Sequence, residues 1–220
     1  MNGKEKRRAK EEAREAARKE RAENFARQCE QLCAQGLSMR DKTLSVRSAQ
    51  RLGFLSSVPF AAAAIVGFVF VPNKVFLLTG NFFADIALFF FLVAASIPVH
   101  EGLHALGWAA ANGSFRGLRF GVAEGSPYCA CTRPMRRWKY LAGLLAPFVL
   151  LGAGLSAAGL GARSLLLLAG GVFNIVCAGG DLLVAFRAFG SRGLLLDHPE
   201  RCGFVLFCGQ TEKSADEAEI

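Results

Sequence analysis

Charge is missing from four long stretches of this chain. Leu52 to Val71 has no Asp, Glu, Lys or Arg, Val75 to Val99 has only Asp85, Tyr140 to Ala162 has none, and Ser164 to Phe186 has only Asp181. A helix at a water-facing surface carries a polar face, so these blocks exclude an ordinary soluble bundle. Each is long enough to cross roughly 30 Å of hydrocarbon as a helix. Strand-like alternation is lacking too, and blocks rich in Leu, Phe, Ala and Gly argue against a β-barrel. The fold class read from this pattern is an all-α membrane protein with four transmembrane helices, over about 52–71, 82–110, 140–162 and 164–186.

Other absences narrow the reading. No apolar block occurs within the first 50 or so residues, which points away from a cleavable signal peptide and makes the first span its own anchor. The seven cysteines include no C-x-x-C pair. "YCACT" therefore lacks the pattern of a structural zinc site, and on the topology below six of the seven face a reducing cytosol, with Cys177 inside a helix. Histidine is scarce, with three in 220 residues, and two of them stand four apart in "IPVHEGLHALGW".

Basic residues set the expected orientation, because Lys and Arg near membrane ends stay on the cytoplasmic side. Of the 26, all but Lys74 and Arg163 fall in 1–51, 112–139 and 187–220. Both termini are thus expected in the cytoplasm, in a bacterial cytoplasmic membrane. The net charge of +8 is accounted for by basic loops facing anionic headgroups of the lipid bilayer, with no nucleic acid as a partner. Residues 1–50 form a charged cytoplasmic segment whose first 30 residues mix ten basic with seven acidic side chains, the composition of a solvated helix. Residues 51–209 form the membrane domain, and the polar tail 210–220 reads as disordered. Between spans, "LRFGV" and "YCACT" alternate around Glu124, Gly125, Ser126 and Pro127, which predicts a small cytoplasmic β-hairpin. Nothing in the sequence sets an oligomeric state.

The histidines carry the chemistry. At a spacing of four on a helix, His100 and His104 share a face about 6 Å apart and can converge on one ion. Glu101 is rotated by about 100°, where it reaches a water on the metal without ligating the metal itself. H-E-x-x-H is the zincin arrangement, in which zinc takes three protein ligands and lowers the pKa of the water in the fourth position to about 7. Glu101 would act as general base and return the proton to the leaving amine. Ionisable groups in a span cost about 2.5–3.5 kcal/mol each on insertion scales and so mark function. Trp108 suggests the interface nearby.

For the third ligand, Asp85 lies on the histidine helix but roughly 22 Å from His100, and it reads as a first-turn anion beside the candidate cap Asn81. Asp181 in "NIVCAGGDLL" lies six residues before Arg187, at a depth close to that of the histidines. Asn174, seven residues earlier on the same face, is a candidate substrate-binding side chain, and Gly179 and Gly180 would let the helix bend. His198 in "LDHPE" is the rival ligand, with Asp197 and Glu200 beside it. Two function classes follow: a zinc peptidase acting on a membrane-anchored protein or peptide substrate, or a non-proteolytic zinc-binding membrane protein such as a carrier or scaffold. Glu101 would be surplus in a scaffold, and the third block offers a carrier no polar path.

"HEGLHALGW", "PYCACTRPM", "LLAPF", "NIVCAGGD" and "DHPERCGF", in that order across roughly residues 80–207, resemble a family of bacterial zincin peptidases related to the site-two protease class of intramembrane metalloproteases. The resemblance implies zinc held by His100, His104 and Asp181, with Glu101 as general base. Site-two proteases carry Leu-Asp-Gly after a proline, whereas here Asp181 follows two glycines and precedes Leu182.

Overall fold

The computed structural model describes residues 3–123 and 126–209. The predicted disordered tail 210–220 and the hairpin tip at Glu124 and Gly125 lie outside the described residues. Helix α1 (Gly3–Ala34) leads into strand β1 (Ser38–Asp41), α2 (Val46–Val69) and α3 (Phe82–Asn112). Then come β2 (Leu118–Ala123), β3 (Ser126–Cys131) and β4 (Met135–Arg136), followed by α4 (Arg137–Pro147), a π-helical turn at Phe148–Ala153 and α5 (Gly154–Gly161). The chain closes with α6 (Leu165–Cys177), α7 (Gly179–Phe189), β5 (Leu194–Asp197) and β6 (Phe204–Cys208).

The molecule is mostly helical with small antiparallel sheets. Three helical stretches are long and apolar enough to cross a membrane: Val46–Val69, Phe82–Asn112 and Arg137–Gly161. A fourth is added when α6 and α7, which meet at a bend of 52°, are counted as one broken span. Large apolar side chains such as Phe54, Phe83, Phe90, Phe91 and Val149 stand exposed on these helices, as on surfaces that face lipid.

Local chemistry explains the ends. Ser45 caps α2 by accepting from the Ser48 amide, and Asn81 caps α3 by accepting from Phe83 and Ala84. Asp85 is buried at the start of α3, where its carboxylate accepts the Leu78 and Thr79 amides at 2.6 and 2.9 Å. It therefore fastens the loop before the helix. The bend between α6 and α7 lies beside a tight crossing: a Cβ on Gly53 of α2 would sit 2.9 Å from the Gly180 nitrogen, and Ser56 donates to the Gly179 carbonyl at 2.8 Å. Only glycines allow the two backbones so close.

The predicted hairpin is present as β2 and β3, paired antiparallel from Leu118↔Cys131 to Ala123↔Ser126. A second sheet was not anticipated. It is four-stranded in the order β1-β6-β5-β4, and it gathers segments from before α2, before α4 and after α7. β6 is buried along its whole length, and with β5 it forms the floor on which Leu32 of α1 packs. The charged helix is consequently tied to the rest of the molecule by its last turns, and by a bidentate pair from Arg18 to Glu200 at 2.6 and 2.9 Å.

Candidate metal centre

The i, i+4 spacing puts His100 and His104 on one face of α3, with ring centroids 5.0 Å apart. The break after α6 brings Asp181, in the first turn of α7, to meet them. Its Oδ2 lies 3.1 Å from His100 Nε2 and 3.4 Å from His104 Nε2, and the three donor atoms fall within 4.8 Å of one another. Ligands about 2.0–2.1 Å from a tetrahedral zinc stand about 3.3 Å apart, so the observed separations fit one ion shared by all three. Side-chain exposures of 12%, 5% and 21% make the site shielded yet reachable from the carboxylate side. This is the group of three potential ligands that the described residues bring together, and it could hold a metal.

A second layer of contacts orients His104. Its Nδ1 lies 3.0 Å from the Gly143 carbonyl in α4. In an uninterrupted helix that carbonyl would accept the amide four residues on, but position 147 is proline and has no N–H. Pro147 therefore frees the carbonyl, His104 donates to it from Nδ1, and Nε2 is left with its lone pair facing the ligand group. The π-helical turn begins directly after Pro147, where the regular hydrogen-bond ladder has been interrupted.

Trp108 is buried, with 2% of its surface exposed, rather than placed at an interface. Its indole N–H donates to the Tyr140 carbonyl at 3.0 Å and its ring stacks on His104 at 5.5 Å and 19°. Gly143 makes this possible, since a Cβ there would overlap the indole. The amphipathic ring found its partner inside the protein, one turn from the ligand it supports.

Glu101 is half-buried beside the histidines, and the backbone of Cys129 in β3 lies against its carboxylate. Asp197 at the end of β5 anchors that strand: it accepts the Cys131 amide at 2.9 Å and the Tyr140 hydroxyl at 2.6 Å. Burial pushes the Asp197 carboxyl up to about 6 against those two hydrogen bonds. Sequence reasoning saw Asp197 only as a neighbour of His198. Its position after a short apolar run was a signal for a strand end, but its partners come from distant segments. Burial likewise pushes the Cys129 and Cys131 thiols up to about 12 and about 11, which keeps both protonated as packing groups.

His198 stands apart from the ligand group. Its Nδ1 accepts the amides of Glu200 and Arg201, both at 3.1 Å, and its ring packs on Phe25 of α1 at 5.0 Å. Asn174 is buried in α6, donating its amide to the Gly170 carbonyl at 2.8 Å. A cleft of about 810 Å³ reaches the site, lined by His104 and Asp181, by Tyr128 and Cys129 of β3, and by Phe25 and Gln28 of α1.

No curated protein and no solved structure matches the chain. Residues 93–191, the segment that supplies His100, Glu101, His104, Gly143, Pro147 and Asp181, match a protein-family model described as "Putative zincin peptidase", which supports the zincin peptidase family and with it a zinc-dependent metallopeptidase.

Proposed function

We propose that this protein is an intramembrane zinc metalloendopeptidase that hydrolyses membrane-anchored proteins near the cytoplasmic face. The observation that carries the reading is the donor set itself: two histidines and one carboxylate leave a tetrahedral ion one open position, and an unliganded carboxylate, Glu101, stands beside it. Zinc bound there would lower the pKa of its water to about 7 and polarise the scissile carbonyl. Glu101 takes the proton of the attacking water and delivers it to the leaving amine. His104, held through Nδ1 by Gly143 and stacked on Trp108, keeps the geometry fixed.

β3 passes beside Glu101 with β2 on one edge, so an extended peptide laid along its other edge would bring its backbone to the site. A helical substrate from the membrane must unwind to do so. Hydrolysis of a fluorogenic peptide by the purified protein, abolished by a chelator and restored by zinc, tests the activity. Zinc-independent cleavage, or none with zinc bound, would refute it.

Four crossings and cytoplasmic termini are supported by the basic residues and by the four-stranded sheet, which draws strands from before α2, before α4 and after α7 to one end. Cysteine-accessibility labelling should therefore find residues in 112–137 and after Arg187 reactive from the cytoplasm, and sites beside Lys74 or Arg163 reactive from outside. External labelling of 112–137 would invert the orientation.

Pro147 gives an independent prediction. Pro147→Ala returns an amide that competes with His104 for the Gly143 carbonyl. Zinc affinity should fall by about tenfold, at the low end of what loss of an outer-layer partner costs. Equilibrium competition with a chromophoric chelator measures it, and unchanged affinity would remove Pro147 from the site.

A further inference from the structure

The cleft above the ligands carries more positive charge than it neutralises. Four arginines line it: Arg21 and Arg27 of α1, Arg119 of β2, and Arg201 in the turn after β5. Arg119 lies 3.8 Å from Glu20, and Arg201 pairs with Asp41 at 3.0 Å. Arg27 donates to the neutral amide oxygen of Asn24 at 2.6 Å, and no carboxylate pairs with it among the described residues. Arg21 is the odd one. Its Nε is closed off from solvent and has no hydrogen-bond partner among the described residues.

The carboxylates nearby are already engaged. Glu200 acts on Arg21 through space, but both its oxygens are taken by Arg18. Asp197 is held by Tyr140 and Cys131, and Asp181 belongs to the ligand group. Arg21 lines the cleft, so a carboxylate entering it would meet a guanidinium whose neighbouring protein carboxylates are already taken, and the planar fork of arginine matches a carboxylate in two places.

We propose that Arg21 is a specificity determinant that donates to an Asp or Glu side chain of the substrate, so that the favoured substrates are acidic beside the scissile bond. The proposal rests on the peptidase reading above. Its placement follows from the hairpin register: Arg119, which reaches Glu20 next to Arg21, is opposite Ala130, and the preceding residue, Cys129, touches Glu101. Arg21 also lines the same cleft as Cys129, His104 and Asp181, so a peptide extended along β3 toward the ligands shares that cleft with Arg21. An anionic lipid headgroup offers similar chemistry. Arg21, however, lines a cleft shared by α1, β3 and two of the three ligands, His104 and Asp181, where a peptide must come and a headgroup need not.

The test uses the full chain, zinc-loaded, in detergent micelles, with two fluorogenic peptides of one apolar core flanked by Glu-Glu or by Lys-Lys. Wild type should favour the Glu peptide in kcat/KM by on the order of 10², almost all of it in KM, because the contact is made equally in ground and transition states. Arg21→Glu should invert the order, Arg21→Gln should abolish the preference, and Arg21→Lys should restore much of it. Fluorescence anisotropy of the same peptides on Glu101→Gln protein, with and without Arg21→Glu, reads binding alone. That arm decides the specificity even where no peptide is cut, an outcome that would refute the peptidase reading only. A peptide preference untouched by Arg21→Glu and Arg21→Gln overturns the proposal. So does an Arg21→Glu variant that loses only flotation with phosphatidylglycerol vesicles, which would assign the arginine to lipid.

Discussion

Glu101→Gln is expected to keep its zinc and lose hydrolysis by a factor on the order of 10² to 10⁴, the usual share of a general base. The substitution preserves shape and removes only the ability to take a proton. The ligand atoms come from His100, His104 and Asp181, so the metal should remain. At 1.36 kcal/mol per tenfold, the loss corresponds to about 3–5 kcal/mol of transition-state stabilisation. Glu101 is half-buried beside the Cys129 backbone, and a glutamine amide there can still meet that backbone. Folding should therefore be little changed, which makes the variant a clean probe. The measurement compares membrane-proteome fragments from cells carrying wild type or the variant, with zinc content of both purified proteins confirmed equal. Cleavage at the wild-type rate by a metal-loaded variant would remove Glu101 from the chemistry.

The positions that proved readable from sequence are those whose signal is local. An i, i+4 pair of histidines in a strongly apolar helix needs nothing else to define a face, and apolar blocks of membrane length with at most one charge need only be counted. The hairpin was legible because β2 and β3 are adjacent and alternate. The four-stranded sheet was not. β1 pairs with β6 in the register Ser38↔Cys208, across nearly the whole chain, and no local pattern announces such a partner. β6 is buried on both faces, so "FVLFC" shows no alternation, and "SMRD" has too few apolar residues to mark a strand. For the same reason the contacts of α1 with the cleft were invisible: Arg18 finds Glu200 and Phe25 finds His198 only once β5 and its turn have folded beneath the helix. Trp108 shows the limit of compositional rules. An indole near a span end reads as an interface anchor, yet a glycine 35 residues later in the chain provides the space that takes it inside.

The third ligand is the assignment with most at stake, and the two candidates separate cleanly by geometry. Asp181 reaches both histidines through one oxygen, at 3.1 and 3.4 Å, from the first turn of a helix that the Gly53–Gly179 crossing holds in place. His198 is committed elsewhere. Its Nδ1 accepts two backbone amides of its own turn, an arrangement that fixes the 198–203 loop under α1. Asp181→Ala removes an anionic donor and leaves two histidines, so zinc affinity should fall by more than about a hundredfold, beyond the range seen when an outer-layer partner is lost. Asp181→Asn should be nearly as damaging, because the amide keeps the shape and lacks the charge. His198→Ala should leave most of the zinc in place and cost about 0.5–1.5 kcal/mol of stability, since two exposed turn amides exchange their acceptor for water. Metal analysis of the purified variants, alongside thermal unfolding to confirm that each is folded, reads both effects. Full zinc in folded Asp181→Ala together with an empty His198→Ala would reverse the assignment, and the turn after β5 would then have to swing from beneath Phe25 to complete the site.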